Sequence, residues 1–295
     1  MQKNILAMHD ISCVGKCSLT VALPILSAAG CTVSVLPTAV LSTHTGGFQG
    51  FTFRDLTGDL PGILDHWEKL GLKFDAVYTG YLGSAGQIRL VSRLIEEFLA
   101  PGAPVCIDPA MADNGRLYAS FGPDFSRGMT ALCRKADLIL PNLTEAALLL
   151  DRPYQEGMQN REETEETLRC LSSLGPRRVV LTGVSFCPEQ TGCAAYDRET
   201  GEFSYVFSKK VEGCYCGTGD IFASALIGAL LKGFPLRQAA RVAVDFTCGA
   251  IARTHRAGTE IRFGVNFEEG LPAYIRALCR PGRKEMPDEK KSDKN

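Results

Sequence analysis

The sequence predicts an α/β protein whose central, mostly parallel sheet is flanked by helices on both faces. Three observations predict it. Strand-length apolar runs alternate with helix-length segments over most of the 295 residues. Such buried runs suit a parallel sheet covered on both sides. A single hairpin pattern, late in the chain, breaks the rhythm.

Asn4-Ile5-Leu6-Ala7-Met8 opens as a short apolar strand, and a polar, glycine-containing stretch from Asp10 to Ser18 follows it. Leu19 to Ala29 is expected to be helical, with Pro24 in its first turn or kinking it. Cys31 to Leu36 alternates β-branched residues and predicts a strand, as does Phe74 to Tyr78. Ser84 to Leu99 has the spacing of an amphipathic helix, with Ile88, Val91, Leu94, Ile95 and Phe98 on one stripe. Val105 to Asp108 and Leu138 to Leu140 are further short strands, and a helix follows the second from Glu145. A charged helix around Glu162 to Ser172 precedes a strand at Arg178 to Thr182. Cys193 to Tyr196 and Phe203 to Phe207 flank the turn Asp197 to Gly201 as a hairpin. Ile221 to Leu231 and Leu236 to Arg253 complete the helices. With no internal repeat and no Gly/Ser-rich linker, residues 1–280 are expected to form one domain. Residues 281–295 carry nine charges and are expected to be a disordered tail.

Composition narrows the function. Lys plus Arg total 32 against 33 for Asp plus Glu, which argues against broad electrostatic binding to nucleic acid or to an anionic membrane. No apolar run approaches the ~18 residues of a membrane span, and Met1 to Leu6 lacks the pattern of a signal peptide. A cytoplasmic location is expected. The twelve cysteines show neither a disulfide framework nor zinc spacing.

The chemistry concentrates in Gly213-Cys214-Tyr215-Cys216-Gly217-Thr218-Gly219-Asp220, which runs into a helix. Glycines admit a ligand close to the backbone, and a helix start presents unpaired N–H groups at a positive dipole end. That combination makes an anion hole for phosphates. Asp220 beside it can accept a proton from an attacking hydroxyl, or it can simply cap the helix. Neither a Walker loop nor a Rossmann fingerprint is present. Asn142-Leu143-Thr144-Glu145 sits at the end of a strand, where Glu145 can hold hydrated magnesium or complete a capping box. Asp108 and Asp113 close another strand as cation ligands or as solvated loop acids. Ser42 to Gly47, with His44 and Thr45, can line a pocket, and Tyr81 can pack on a planar substrate or in the core. Cys214 and Cys216 read either as small buried residues or as lid thiols able to meet an aldehyde.

In order along the chain, Asn4 to Asp10, Ser42 to Gly46, Tyr78-Thr79-Gly80-Tyr81, Asp108-Pro109, Ala136-Asp137 to Asn142-x2-Glu145, Thr182-Gly183 and Gly217-Thr218-Gly219-Asp220 resemble the pyridoxal kinases of the ribokinase-like superfamily. The resemblance implies a ribokinase-like fold and ATP-dependent phosphorylation of the 5′-hydroxymethyl group of pyridoxal and related B6 vitamers. By that resemblance Asp220 is the general base, and the N–H groups of Gly217, Thr218 and Gly219 hold the γ-phosphate. Asp10, Thr45 and Tyr81 match substrate positions. Asp113, Asn142, Glu145 and Thr182 match the nucleotide and Mg2+ region, and Asp108 with Thr182 a site for K+ or Na+. A homodimer is also implied. Asp10 stands where many pyridoxal kinases have Ser and resembles hydroxymethylpyrimidine kinases instead, which makes pyrimidine phosphorylation the rival function. Leu140 replaces a Thr of the animal members. A non-catalytic regulator that binds nucleotide or B6 is the third reading.

Overall fold

The computed structural model describes residues 2–279, so the expected tail at 281–295 lies outside the described residues. In chain order the elements are β1 (Asn4–Val14), α1 (Leu19–Ala28), β2 (Thr32–Thr43), β3 (Phe53–Asp55), α2 (Leu60–Lys69), β4 (Ala76–Thr79), α3 (Ala85–Phe98) and β5 (Val105–Ile107). They continue with β6 (Ala112–Asp113), β7 (Arg116–Leu117), α4 (Pro123–Cys133), β8 (Leu138–Ile139), α5 (Leu143–Leu149), α6 (Arg161–Ser173) and β9 (Arg178–Val184). The chain then forms β10 (Gln190–Asp197), β11 (Glu202–Lys209), α7 (Thr218–Leu231), α8 (Leu236–Ala257) and α9 (Leu271–Leu278).

Nine of the strands make one sheet in the order β11-β10-β9-β8-β5-β4-β1-β2-β3, and β6 and β7 pair as a separate ribbon. The six central strands are parallel. β3 joins one edge and the β10–β11 hairpin the other, both antiparallel. Successive residues of a buried strand feed opposite faces. Ile5 and Tyr78 enter a core with α1, α7, α8 and α9, whereas Leu6 and Val77 enter one with α2 to α6. The mostly parallel sheet with helices on both faces is therefore present. Among the described residues no helix is long and apolar enough to cross a membrane.

Several boundaries differ from the sequence expectation. β1 runs on to Val14, and its pairing with β2 slips between His9 and Ile11. Two residues of β2 there oppose one of β1, next to Pro37, which has no N–H to give to the ladder. The slip falls at Asp10 and allows that residue to depart from the regular pleat. α1 passes through Pro24 without ending. α2, α4 and α9 are helices that the periodicity did not mark.

α3 holds a polar residue in the core. Gln87 is fully buried, and its amide donates to Thr38 O at 2.9 Å and Thr57 Oγ1 at 2.9 Å while its oxygen accepts from Gly83 N at 2.7 Å. These bonds tie α3 to β2 and to the connections after β3 and β4. Gln87→Leu would strand several of those buried groups at ~1–3 kcal/mol each. Urea denaturation is expected to show a loss of about 2–4 kcal/mol; a loss under about 0.5 kcal/mol would mean that the network is not structural.

Candidate active site

The site is assembled where β1 and β5 end and α7 begins. Ile221 to Ala229 bury nearly the whole circumference of α7 and thereby fix where its first turn points. Gly217 precedes the helix at φ +73°, and a Cβ there would stand 2.0 Å from Lys16 O. Only glycine fits. No side chain caps α7, and a Cβ on Gly219 would meet open space. The first amides of an anchored helix thus face an accessible pocket, the arrangement that attracts a phosphate.

Asp220 is the third residue of α7. Gly217 is the cap, so the capping alternative for Asp220 does not hold. One carboxylate oxygen, Oδ2, accepts from Ser18 N at 2.8 Å. Burial pushes the carboxyl up to about 7; the charge of Asp10 adds to this, and the Ser18 N–H opposes it. Asp10 is buried and accepts from Ser12 Oγ at 3.2 Å. Burial raises it as well, with Ser18, Ser12 and the nearby His44 pulling the other way. Cys17 and Tyr81 both feel the charge of Asp10. Tyr81 stacks on Phe121 at 5.5 Å, its hydroxyl 3.4 Å from Ser120 Oγ, and is only partly buried. The core alternative for Tyr81 is therefore not what the fold adopts.

The loop after β2 is held by His44. Gly46 N donates to His44 Nδ1 at 3.1 Å, so the proton is on Nε2, which lies 2.6 Å from Arg262 O. Thr45 is exposed at the tip of this loop. Cys216 Sγ sits 3.8 Å from Gly46 O, which brings the glycine-rich segment against the same loop. Cys214 is exposed and Cys216 partly so, which overturns their reading as small buried residues.

Asp108 stands within electrostatic reach of both Asp220 and Glu145. Asp108 is held well above the usual carboxylate range by burial and by the charges of Glu145 and Asp220. Glu145 accepts from Asn142 N at 2.9 Å and Met111 N at 3.1 Å, and Asn142 Oδ1 accepts from Glu145 N at 2.9 Å. The capping box is real. Burial still raises Glu145 despite these amides. Thr182 is joined to this corner, its N–H donating to Pro141 O at 2.9 Å beside the Asn142 bridge. Asp113 behaves differently. It is exposed, and its carboxylate is engaged by Asn114 N at 2.8 Å and Asn114 Nδ2 at 3.0 Å. Among the described residues no three acidic, thiol or imidazole side chains form a closed metal cage. The donor set nevertheless fits a magnesium ion that keeps its waters, since Asp108 and Glu145 offer hard oxygens in a region of uncompensated negative charge.

A cleft of about 170 Å³ opens beside the anion hole, lined by Thr191, Lys209, Lys210, Gly213, Tyr215 and Thr218 among others. Neither lysine was a candidate from the sequence, although a basic pair just before a glycine-rich segment is a usable signal. Ser12 was likewise overlooked, two residues from Asp10 on the same strand.

The family model described as phosphomethylpyrimidine kinase matches residues 27–264. Pyridoxal kinase PdxY of Deinococcus radiodurans is 27% identical over 269 residues, 88% of this chain and 89% of that protein. The crystal structure of pyridoxal kinase from Lactobacillus plantarum is 35% identical, with a TM-score of 0.85, over 94% of this chain and 98% of that one. A Bacteroides thetaiotaomicron protein provisionally described as a phosphomethylpyrimidine kinase, solved in a crystal form with pyridoxal, is 41% identical. Its TM-score is 0.88, over 96% of this chain and 98% of that chain. The chain belongs to the phosphomethylpyrimidine kinase family, alongside pyridoxal kinases that share its ribokinase-like fold.

Proposed function

We propose that the protein transfers the γ-phosphoryl group of ATP to the 5′-hydroxymethyl group of pyridoxal and related B6 vitamers, giving pyridoxal 5′-phosphate and ADP. The observation that carries this reading is Asp220, its pKa raised to about 7, set beside the uncapped, glycine-built start of α7. A carboxylate at that position takes the proton of the attacking hydroxyl as the oxygen bonds to phosphorus. The N–H groups of Gly217, Thr218 and Gly219 receive the negative charge of the transferring phosphoryl. The pyridine ring lies between the His44–Thr45–Gly46 loop and Tyr81, with the buried Asp10 offered to its ring nitrogen as a counter-charge. The cleft with Lys209 and Lys210 takes the rest of the nucleotide. Asp108 and Glu145 hold Mg2+ largely through its waters, and Asn142 and Thr182 shape that corner; the cation screens the phosphates. Asp113 acts from the exposed tip of the β6–β7 ribbon, its charge within reach of Glu145. K+ or Na+ near Asp108 and Thr182, a pairing of two copies, and a cytoplasmic location complete the reading.

The family model's description and the acid at position 10 favour a second substrate, a hydroxymethylpyrimidine. ATP-consumption assays with pyridoxal, pyridoxine, pyridoxamine and hydroxymethylpyrimidine, each run in sodium and in potassium, separate the two. Turnover of pyridoxal above that of the pyrimidine is expected, and the reverse ranking would overturn the first reading.

Asp220→Asn keeps the shape and an acceptor for Ser18 N but removes the base. A fall in kcat of ~10²-fold or more is expected in the coupled assay; turnover close to that of the natural sequence would refute the assignment. A non-catalytic regulator would show no turnover in either protein.

The same substitution should stabilise the unliganded protein. A carboxyl raised to about 7 by burial binds its proton more tightly folded than unfolded, so it opposes folding increasingly as pH rises from about 4 through 7. Thermal melting at pH 8 is expected to be higher for Asp220→Asn than for the natural sequence, with the gap narrowing as the pH falls and closing only near pH 4. An equal or lower melting temperature at pH 8 would mean that Asp220 is not a desolvated charge.

A further inference from the structure

Beneath Asp220 lies a polar group of side chains that the reaction above does not use. His9 of β1 and Tyr78 of β4 point to the same face of the sheet, their rings edge to face with centroids 4.4 Å apart. Ser224 lies four residues beyond Asp220 in α7, on the same side of that helix. Its hydroxyl is near enough to that of Tyr78 to interact with it, without meeting hydrogen-bond geometry. All three residues are completely buried. Both ring nitrogens of His9, the Tyr78 hydroxyl and the Ser224 hydroxyl have no hydrogen-bond partner among the described residues.

Buried polar atoms are normally satisfied, by protein or by an ordered water with two to four partners. Here several converge on one place, and their nearest charged neighbours are functional. Tyr78 is raised well above the usual phenol range by burial and by the charges of Asp108 and Asp220. It is therefore a neutral hydroxyl, able to donate, within electrostatic reach of both carboxylates. His9, lowered to about 3 by burial, is neutral too and brings one donor and one acceptor. A Cβ on Gly80 would come within 2.3 Å of His9 Nδ1, so the absence of a side chain at Gly80 leaves His9 its place.

We infer that Tyr78 is a positioning residue for Asp220. Its hydroxyl, steadied by His9 and Ser224, donates through one buried water to the Asp220 carboxylate and, together with Ser18 N–H, holds it in the orientation that meets the substrate hydroxyl. The inference rests on the reading of Asp220 as the general base. No group in the cluster exchanges a proton in the reaction; the cluster fixes direction, to which proton transfer is sensitive over distances of the order of an ångström.

Tyr78→Phe tests this with the full chain, because it deletes one oxygen and leaves the ring in its cavity. A fall in kcat of about 10-fold is expected, with KM for pyridoxal and for ATP within about twofold. An unchanged kcat would overturn the inference. So would a fall in kcat accompanied by a raised KM for both substrates, which is the signature of a packing role. Ser224→Ala, read in the same way, decides the matter should Tyr78→Phe not fold. His9→Gln, which retains a donor and an acceptor, is expected to keep more activity than His9→Leu; equal losses would count against the inference. Assaying Asp220→Asn alongside separates the two ideas. If it remains active, the base assignment has failed; if it is inactive while Tyr78→Phe is normal, only the positioning role has failed.

Discussion

The structure depends on one electrostatic constraint: Asp10, Asp108, Glu145 and Asp220 are gathered at the end of one sheet with their charges largely uncompensated. Each is raised by burial, and the charge of a neighbour adds to the rise at Asp108 and Asp220. Such a cluster opposes folding near neutral pH and is tolerated because the surrounding core is large and apolar. What the cluster lacks is what a kinase brings to it. In the proposed reaction a hydrated divalent ion, a ring cation and the proton of an alcohol would each neutralise one part of it. Asp220 keeps a raised pKa for the same reason that its neighbours attract a cation.

Backbone devices hold the carboxylates in place. Gly217 lets the start of α7 press against Lys16 O, and Gly264, at φ +91°, admits the Lys16 side chain. Lys16 N donates to Phe263 O at 3.0 Å, and Lys16 Nζ reaches Glu268 at 2.9 Å. Arg262 O meets His44 Nε2, and the Arg262 side chain lies over Phe48. The segment from Arg262 to Glu268 therefore straps the loop after β1 to the loop after β2. Loops far apart in sequence are set by this one strap.

Much of the fold was legible because strand and helix periods are strong where cores form. The strands near Ala76, Val105, Leu138 and Arg178 and the hairpin at 190–209 all appear close to where the apolar runs put them. The helices that escaped notice are α2, α4 and α9. α2 carries Pro61 and Gly62 near its start, α4 contains Ser126, Gly128 and Thr130, and α9 is a short helix with Pro272 in its first turn. These residues lower local propensity, and tertiary packing overrides them. For the site, the glycine-built helix start and Asp220 were readable because their spacing is local. Asp113, a candidate from its place after a strand as well as by resemblance, is exposed and turns to the adjacent Asn114, while its charge still reaches Glu145. The fully buried Gln87, the His9–Tyr78–Ser224 group and the strap through Lys16 were not readable. Each is a polar group whose partners lie tens to hundreds of residues away.

The uncompensated cluster is most directly tested by counting protons when the missing charge arrives. Binding of magnesium-complexed ATP at pH 7 can be followed calorimetrically in buffers of different ionisation enthalpy. Asp108 and Glu145, which hold protons because they are buried among like charges, must lose them as the cation docks, so proton release is expected, and Asp108→Asn should diminish it. Binding with no proton exchange, or with uptake, would contradict the existence of a strained acidic cluster around Asp108 and Glu145.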